Sequence, residues 1–171
     1  MKAYMGLTCK PGAYNEVLKN LLLGMFVDQQ NLFLLFGPVD ILIQFPGLKN
    51  LDEFIEKWFN PVRMIGADED LITKTLSLVV ITDGKQVSER PFAFVFLNTQ
   101  PKNLENVRGT LANMPEVLTA DTVLGPYDVI CAVKAKDHAE LERTVSKIQQ
   151  VPGIERSLTS IVSPIGVLPD W

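Results

Sequence analysis

The sequence predicts an α+β fold made of two ferredoxin-like repeats, each with the order strand, helix, strand, strand, helix, strand. The main observation is a repeated turn motif, Gly37-Pro38-Val39-Asp40 and Gly125-Pro126-Tyr127-Asp128, whose copies start 88 residues apart in a chain of 171 residues. A period of about half the chain indicates two copies of one supersecondary unit. The second observation is a helix-start signal in each half. The third is that the predicted strands are apolar on both faces.

The elements of the first half follow in chain order. A strand over residues 3–9 precedes a helix whose apolar residues, from Tyr14 to Leu22, recur at helical spacing. Asn50 with Glu53 resembles a capping box and opens a second helix. The other predicted strands cover residues 27–36, 40–45 and 71–81.

The second half repeats this order. Leu104, Val107 and Leu111 lie at helical spacing and predict its first helix, which Met114-Pro115 ends. Asp137 with Glu140 repeats the capping signal before the second helix. The predicted strands cover residues 91–97, 117–124, 128–135 and 154–162.

These elements divide the chain into predicted domains. The first repeat covers residues 1–82, a polar linker covers 83–90, and the second repeat covers 91–171. The last residues, 164–171, form an apolar tail ending in Trp171, which suggests docking onto a neighbour.

The predicted strands are apolar on both faces. Phe92, Phe94 and Phe96 face one way, while Ala93 and Val95 face the other. A sheet with helices on one face normally alternates apolar and polar residues. We therefore expect the second face of each sheet to pack on the other repeat, so that the two form a pseudo-dimer resembling a dimeric α/β barrel.

Composition excludes several classes of protein. The net charge is −4 and the pI about 5.0, whereas a domain that tracks phosphates usually has a basic face. The N-terminus lacks the apolar run of a signal peptide, and polar residues from Asp28 to Asn31 interrupt the Leu- and Phe-rich stretch 21–36. We expect a soluble cytoplasmic protein that binds neither nucleic acid nor membranes directly.

Catalytic and metal-binding patterns are absent from the sequence. His138 is the only histidine, and neither a Walker loop nor a G-x-S-x-G or H-E-x-x-H motif occurs. Cys9 and Cys131 have no metal-ligand spacing and are expected to be buried, reduced thiols. The acidic run 68–70 is expected to be solvated. We therefore expect no enzymatic activity, no cofactor and no metal site.

The second half resembles the ligand-binding domain of the Lrp/AsnC transcription regulators, often called the RAM domain, over about residues 91–164. The first half resembles it more faintly, through Gly37-Pro38-Val39-Asp40, the second helix and Thr75. The matching segments of the second half are Ala93-Phe94-Val95, Met114-Pro115-Glu116-Val117, Leu124-Gly125-Pro126-Tyr127-Asp128-Val129, Val151-Pro152-Gly153-Ile154 and Thr159-Ser160-Ile161-Val162.

This resemblance implies a sensor of amino acids or similar metabolites that assembles through its sheets. Regulators of the family also carry an N-terminal helix-turn-helix, but this chain begins with a strand at Lys2-Ala3-Tyr4. We therefore expect a stand-alone, duplicated module that acts through protein assembly. Its expected partners are a small effector, further copies of itself, and a DNA-binding member of the family.

The Gly-Pro-x-Asp turns are the candidate binding sites, because the resemblance places small ligands near such a turn. The alternative for each aspartate is a hydrogen bond to its own turn, and the alternative for Tyr127 is packing on the core. The second copy has more polar neighbours, Thr119, Asp121 and Thr122, so we expect it to be the better site. The candidate residues are Gly125, Pro126, Tyr127, Asp128, Thr122, Thr159, Gly37, Asp40 and Thr75.

Two other functions stay open from the sequence. Ferredoxin-like barrels of this size also host monooxygenases and isomerases, and fold alone does not exclude an enzyme. A purely structural assembly protein is the other alternative. Titratable residues on the inward sheet faces would favour an enzyme, but the predicted inward residues are mostly Phe, Val, Leu and Ile.

Overall fold

A computed structural model describes residues 1–82 and 89–164 of the chain. Most of the predicted linker and the tail beyond Pro164 therefore lie outside the described residues. The fold is α+β, and the strand pairs named below are antiparallel. Among the described residues, no helix is long and apolar enough to cross a membrane.

The chain divides into two compact units, whose bounds differ from the predicted domains. Unit 1 contains Met1–Ser77 and continues from Ser163, and unit 2 is Leu78–Val162. The division falls inside one strand, β4 (Ile72–Thr82). Its last residues belong to unit 2 because they pair with a strand there, with Val79 opposite Leu124.

Unit 1 contains the first strand–helix–strand–strand–helix series. The elements are β1 (Ala3–Cys9), α1 (Tyr14–Lys19), β2 (Leu32–Phe36), β3 (Ile41–Phe45), α2 (Leu51–Phe54), α3 (Asn60–Arg63) and the first part of β4. In its sheet, Met5 lies opposite Ile43 and Phe33 opposite Leu42, so that β3 runs between β1 and β2. Both helical segments include a π-helical turn, Asn20–Gly24 after α1 and Ile55–Phe59 between α2 and α3.

The second strand of unit 1 is shorter than predicted. The sequence predicted residues 27–36, but β2 begins at Leu32. Asp28 accepts a hydrogen bond at its Oδ1 from the Gln30 N–H at 2.9 Å and caps a 3₁₀ turn over Gln29–Asn31. This local side-chain bond competes with extended backbone. The predicted strand therefore begins five residues before the observed one.

Unit 2 contains the second series. The elements are β5 (Ala93–Thr99), α4 (Leu104–Ala112), β6 (Val117–Leu124), β7 (Val129–Val133), α5 (His138–Gln149) and β8 (Ile154–Val162). Its sheet has the strand order β8-β5-β7-β6, and the end of β4 pairs with β6. The predicted bounds of β6 and β8 match the structure at both ends.

Both faces of the central strands are buried in each unit. In unit 2, Val95 packs in one cluster with Val107 and Ile148 from the helices, while Phe94 and Phe96 on the opposite face are 2% and 0% exposed. In unit 1, Tyr4 and Leu42 are likewise buried on the face away from the helices. Fully burying one such side chain contributes about 1.5–3 kcal/mol, so the residues on the second face also stabilise the fold.

The two capping boxes form as predicted. Asp137 Oδ1 accepts a hydrogen bond from the Glu140 N–H at 2.8 Å, and Glu140 Oε2 accepts one from the Lys136 N–H. Asn50 and Glu53 make the equivalent pair of bonds at α2. These bonds satisfy amide groups that a helix start would otherwise leave without partners.

We predict that Asp137→Ala lowers the free energy of unfolding by about 1 kcal/mol, because it removes the N-cap acceptor. Urea denaturation of the full chain measures this loss. Glu142→Gln, an exposed change on the same helix, serves as the control and should leave the midpoint unchanged. An Asp137→Ala protein as stable as the control would contradict the assignment of the cap.

Candidate functional site

The two Gly-Pro-x-Asp turns share nearly the same glycine φ. Each connects the second and third strands of its unit, and its glycine has a φ of 152° (Gly37) or 153° (Gly125). Side chains disfavour such values, which explains why glycine occupies both positions. Gly125 and Pro126 are exposed, and so are the equivalent residues of the first turn.

The aspartate of each turn joins it to the end of the unit's first strand. Asp40 Oδ2 accepts a hydrogen bond from the Cys9 N–H at 2.7 Å, and Asp128 Oδ2 accepts one from the Thr99 N–H at 2.9 Å. The partner is therefore a neighbouring strand and not the turn itself. Both carboxylates are half-buried. The bond leaves Oδ1 of each carboxylate available as an acceptor.

A second hydrogen bond supports each turn. The Thr8 hydroxyl donates to the Pro38 carbonyl oxygen, and the Asn98 amide donates to the Pro126 carbonyl oxygen, both at 2.9 Å. The predicted site residues did not include Thr8, Cys9, Asn98 and Thr99. A signal for them was present, because they directly precede Lys10-Pro11 and Gln100-Pro101, two proline-containing pairs that start 90 residues apart.

Polar residues near the second turn are buried. Thr122 is 3% exposed, and its hydroxyl has no hydrogen-bond partner among the described residues. It lies opposite Val129, the residue after Asp128, and therefore close to the turn. Asp121 is fully buried and accepts a hydrogen bond from the Thr119 hydroxyl at 3.3 Å.

The remaining candidate residues lie apart from this group. Thr159 pairs with Val95, in a row that continues through Cys131 to Ala120. Three strand spacings of about 4.8 Å separate it from β6, so unit 2 does not bring it next to Thr122. Thr75 is a half-buried residue of β4 in unit 1.

Tyr127 packs on the sheet. Its ring centroid lies 5.2 Å from that of Phe96, and the residue is half-buried. This contact agrees with the packing alternative, and a role as a pocket wall stays a prediction.

A pocket of about 400 Å³ lies beside the first turn, entirely within unit 1. Asp40 lines it together with groups that sequence analysis did not select. Its polar lining includes Cys9, Lys10 and Tyr14, and its apolar wall is Leu34, Leu35 and Phe36. The volume falls in the range typical of small-molecule sites.

The two titratable neutral groups of this pocket are held in their protonated forms. Burial, and to a smaller extent the charge of Asp40, raises the pKa of the Cys9 thiol to about 11. Burial also raises the pKa of the Tyr14 phenol, with smaller effects from Cys9 and Asp40. The pocket therefore disfavours additional negative charge.

Among residues 1–82 and 89–164, no group of three or more His, Cys, Asp or Glu side chains is placed to hold a metal ion. Both cysteines are free and buried, as predicted. His138 begins α5, and its ring meets the Phe92 ring edge-on at 5.4 Å.

The sequence of the second unit is similar to a known protein family. Residues 92–164 match the family model for the Lrp/AsnC ligand binding domain. The second half of the chain is thus similar to an Lrp/AsnC ligand-binding domain over these residues. The Gly125–Asp128 turn lies inside this matched region.

Related sequences match the C-terminal part of the chain. An uncharacterized HTH-type transcriptional regulator of Pyrococcus horikoshii is 34% identical over 74 residues, which are 43% of this chain and 47% of the relative. The HTH-type transcriptional regulator FL11 of the same organism is 27% identical over 82 residues, 48% of this chain and 54% of FL11. The chain thus spans about half the length of the curated relatives it matches.

Solved structures also include ones that align with nearly the whole chain. The siroheme decarboxylase NirDL aligns with a TM-score of 0.64 over 98% of this chain and 72% of its own, at 10% sequence identity. At this identity the similarity concerns the fold alone.

We predict that Asp128→Ala lowers the free energy of unfolding by about 1–3 kcal/mol, because the half-buried Thr99 N–H loses its acceptor. Asp128→Asn should lose less, since its amide oxygen still accepts that bond. Chemical denaturation gives the stabilities, and hydrogen exchange at the Thr99 amide gives the local effect. Equal losses for Ala and Asn would show that the bond does not hold the turn.

We also predict that alkylation of Cys9 accelerates about tenfold per pH unit without a plateau up to about pH 10, because its thiol titrates near pH 11. Peptide mapping by mass spectrometry after timed labelling separates Cys9 from the fully buried Cys131. A plateau near pH 8.5, the pKa of an ordinary thiol, would contradict the burial of Cys9 described above.

Proposed function

We propose that the chain is a non-enzymatic sensing module that binds an amino acid or a similar small metabolite. The observation that carries the proposal is the match of residues 92–164 to the Lrp/AsnC ligand-binding domain. The proposed site in that domain is the Gly125–Asp128 turn, with Thr122 beside it.

The chemistry of the turn suits an ammonium group. Asp128 uses Oδ2 for the Thr99 N–H, so Oδ1 is available to a ligand donor. A charge-assisted hydrogen bond of this kind contributes about 1.5–3 kcal/mol. The exposed Gly125 lets a ligand approach the backbone closely, since it has no side chain.

Assembly is the proposed way in which binding is transmitted. We propose that the two repeats pack sheet to sheet and that further copies associate into a homo-oligomer. The burial of Phe94 and Phe96 away from the helices supports the first step. The matching hydrogen bonds at the two turns support the internal duplication.

The module is proposed to act without contacting DNA itself. Its net charge of −4 disfavours phosphate binding, whereas the relatives are named HTH-type regulators. We propose that it influences transcription by joining a DNA-binding relative. Tight, salt-sensitive binding of the purified chain to duplex DNA would refute this part of the proposal.

An enzyme is the alternative function. Its support is the similarity in fold to NirDL, a protein named as a siroheme decarboxylase. Mixing the full chain with an iron tetrapyrrole and recording the absorption spectrum tests this alternative. A shifted Soret band would favour it, and an unchanged spectrum would favour the sensor.

We predict that at least one amino acid or related metabolite raises the melting temperature of the full chain. A ligand that binds only the folded state stabilises it by about 2.7 kcal/mol at a concentration of one hundred times its Kd. Thermal-shift measurement against a metabolite panel detects this gain. No shift with any compound would count against the sensing function.

A further inference from the structure

We propose that the end of the first helical segment of unit 1 is a contact surface for a second copy of this chain. This helix-end patch consists of Leu22, Leu23, Met25 and Phe26. The inference rests on the homo-oligomer of the proposed function and deepens it by naming the surface through which copies meet. The patch lies outside residues 92–164, and β2 separates it from the first Gly-Pro-x-Asp turn.

Phe26 has a backbone conformation that its side chain disfavours. Its φ is 54°, in the left-handed region that bulky residues rarely occupy. The Val27 N–H donates a hydrogen bond to the Leu21 carbonyl oxygen at 2.9 Å, and both residues pack in the core of unit 1. The chain therefore reverses at Phe26, where helices commonly carry glycine. A glycine at this position would relieve the strain that phenylalanine introduces.

The Phe26 side chain does not offset this strain by packing. It is 83% exposed, and Leu23 in the preceding turn is 56% exposed. Leu22 and Met25 are half-buried and connect these two side chains to the core. An apolar surface kept in solvent by a strained residue contributes little to the fold. Local features of this kind are concentrated at recognition sites.

Unit 2 ends its first helix without these features. The C-cap of α4 is Asn113, with a φ of −94°, and Met114 after it packs on the core of unit 2. The fold itself therefore requires neither a positive φ nor an exposed aromatic ring at this point. The helix-end patch is thus a feature of unit 1 that the shared architecture does not explain.

The charges around the patch favour a second copy as its occupant. Residues 20–27 carry no charge, so two patches do not repel each other. The exposed Lys19 precedes this run and the exposed Asp28 follows it, while Glu16 lies a further helical turn away. In an isologous contact both copies use the same surface, so a two-fold axis through the patch lets Lys19 of each copy face Asp28 of the other.

Asp28 has an oxygen free for this contact. Its Oδ1 accepts the hydrogen bond from the Gln30 N–H, which leaves Oδ2 as an acceptor for an ammonium group. Charge pairs at the rim of an apolar contact fix its orientation more than they raise its affinity. The apolar side chains are therefore expected to supply the affinity, and the two charges the two-fold arrangement.

Phe26→Gly separates a role in association from a role in folding. Sedimentation velocity of the full chain over a range of concentrations should show the variant associating about tenfold more weakly than the original chain, as expected for loss of a central aromatic residue. Its melting temperature, measured where both proteins are monomeric, should rise by about 2–4 °C because the strain is relieved. Met64→Ala, at another exposed apolar position, is the control and should change neither quantity.

Charge exchange tests the second copy as the occupant. Lys19→Glu places like charges opposite each other and should weaken association severalfold, and Asp28→Lys should do the same. Their combination should restore association, because each ion pair forms again with its direction reversed. Since Asp28→Lys also removes the bond to the Gln30 N–H, circular dichroism checks that each variant is folded. A combined variant that associates no better than the single ones overturns the proposed two-fold contact.

The outcomes distinguish this surface from the homo-oligomer on which it rests. If the original chain stays monomeric at every concentration, both are wrong. If it associates and Phe26→Gly associates equally well, the helix-end patch is wrong while the homo-oligomer stands. A lower melting temperature for Phe26→Gly would show that Phe26 stabilises the fold, and it would overturn the proposal as well.

Discussion

One hydrogen bond organises each half of this protein: the turn aspartate accepts it from the N–H at the end of the first strand. The bond joins residues about thirty positions apart, Cys9 with Asp40 and Thr99 with Asp128, and so fixes the hairpin between the second and third strands against the sheet's first strand. Two further features depend on this register. One is the φ of the turn glycine, and the other is the hydrogen bond that Thr8 or Asn98 donates to the carbonyl oxygen of the turn proline. The same aspartate carries the charge on which the proposed ligand contacts rest. Structure and recognition thus share one carboxylate, each through a different oxygen.

The sequence allowed most elements of unit 2 to be predicted because their signals are local. The capping pair Asp137 and Glu140 marks the start of α5, and apolar runs bounded by turn residues mark β6 and β8. Unit 1 was harder. The start of β2 depends on a side-chain bond from Asp28 that overrides an apolar run, and the π-helical turns 20–24 and 55–59 leave no distinct periodicity in a short segment.

The candidate site could be predicted only in part. The repeated motif identified Asp40 and Asp128, because a turn motif can be recognised from the order of its residues alone. Their partners, Cys9 and Thr99, follow from strand register, which a single sequence does not specify. The pocket beside Asp40 combines β1, the following loop and β2, so its members are neighbours only after folding. The polar residues Thr119 and Asp121 favoured the second turn as the better site. Both are buried, and Asp121 accepts a hydrogen bond from the Thr119 hydroxyl.

The strand β4 belongs to unit 1 up to Ser77 and to unit 2 from Leu78, where it pairs with β6. A fragment cut at the first residue of the Lrp/AsnC match, Phe92, would leave out this pairing strand. The backbone amides and carbonyls of β6 would then lie along an open edge, next to the exposed side chain of Leu124. Open edges of this kind promote association with other chains. A fragment that keeps the partner strand of β6 must therefore begin earlier than the family match, within β4.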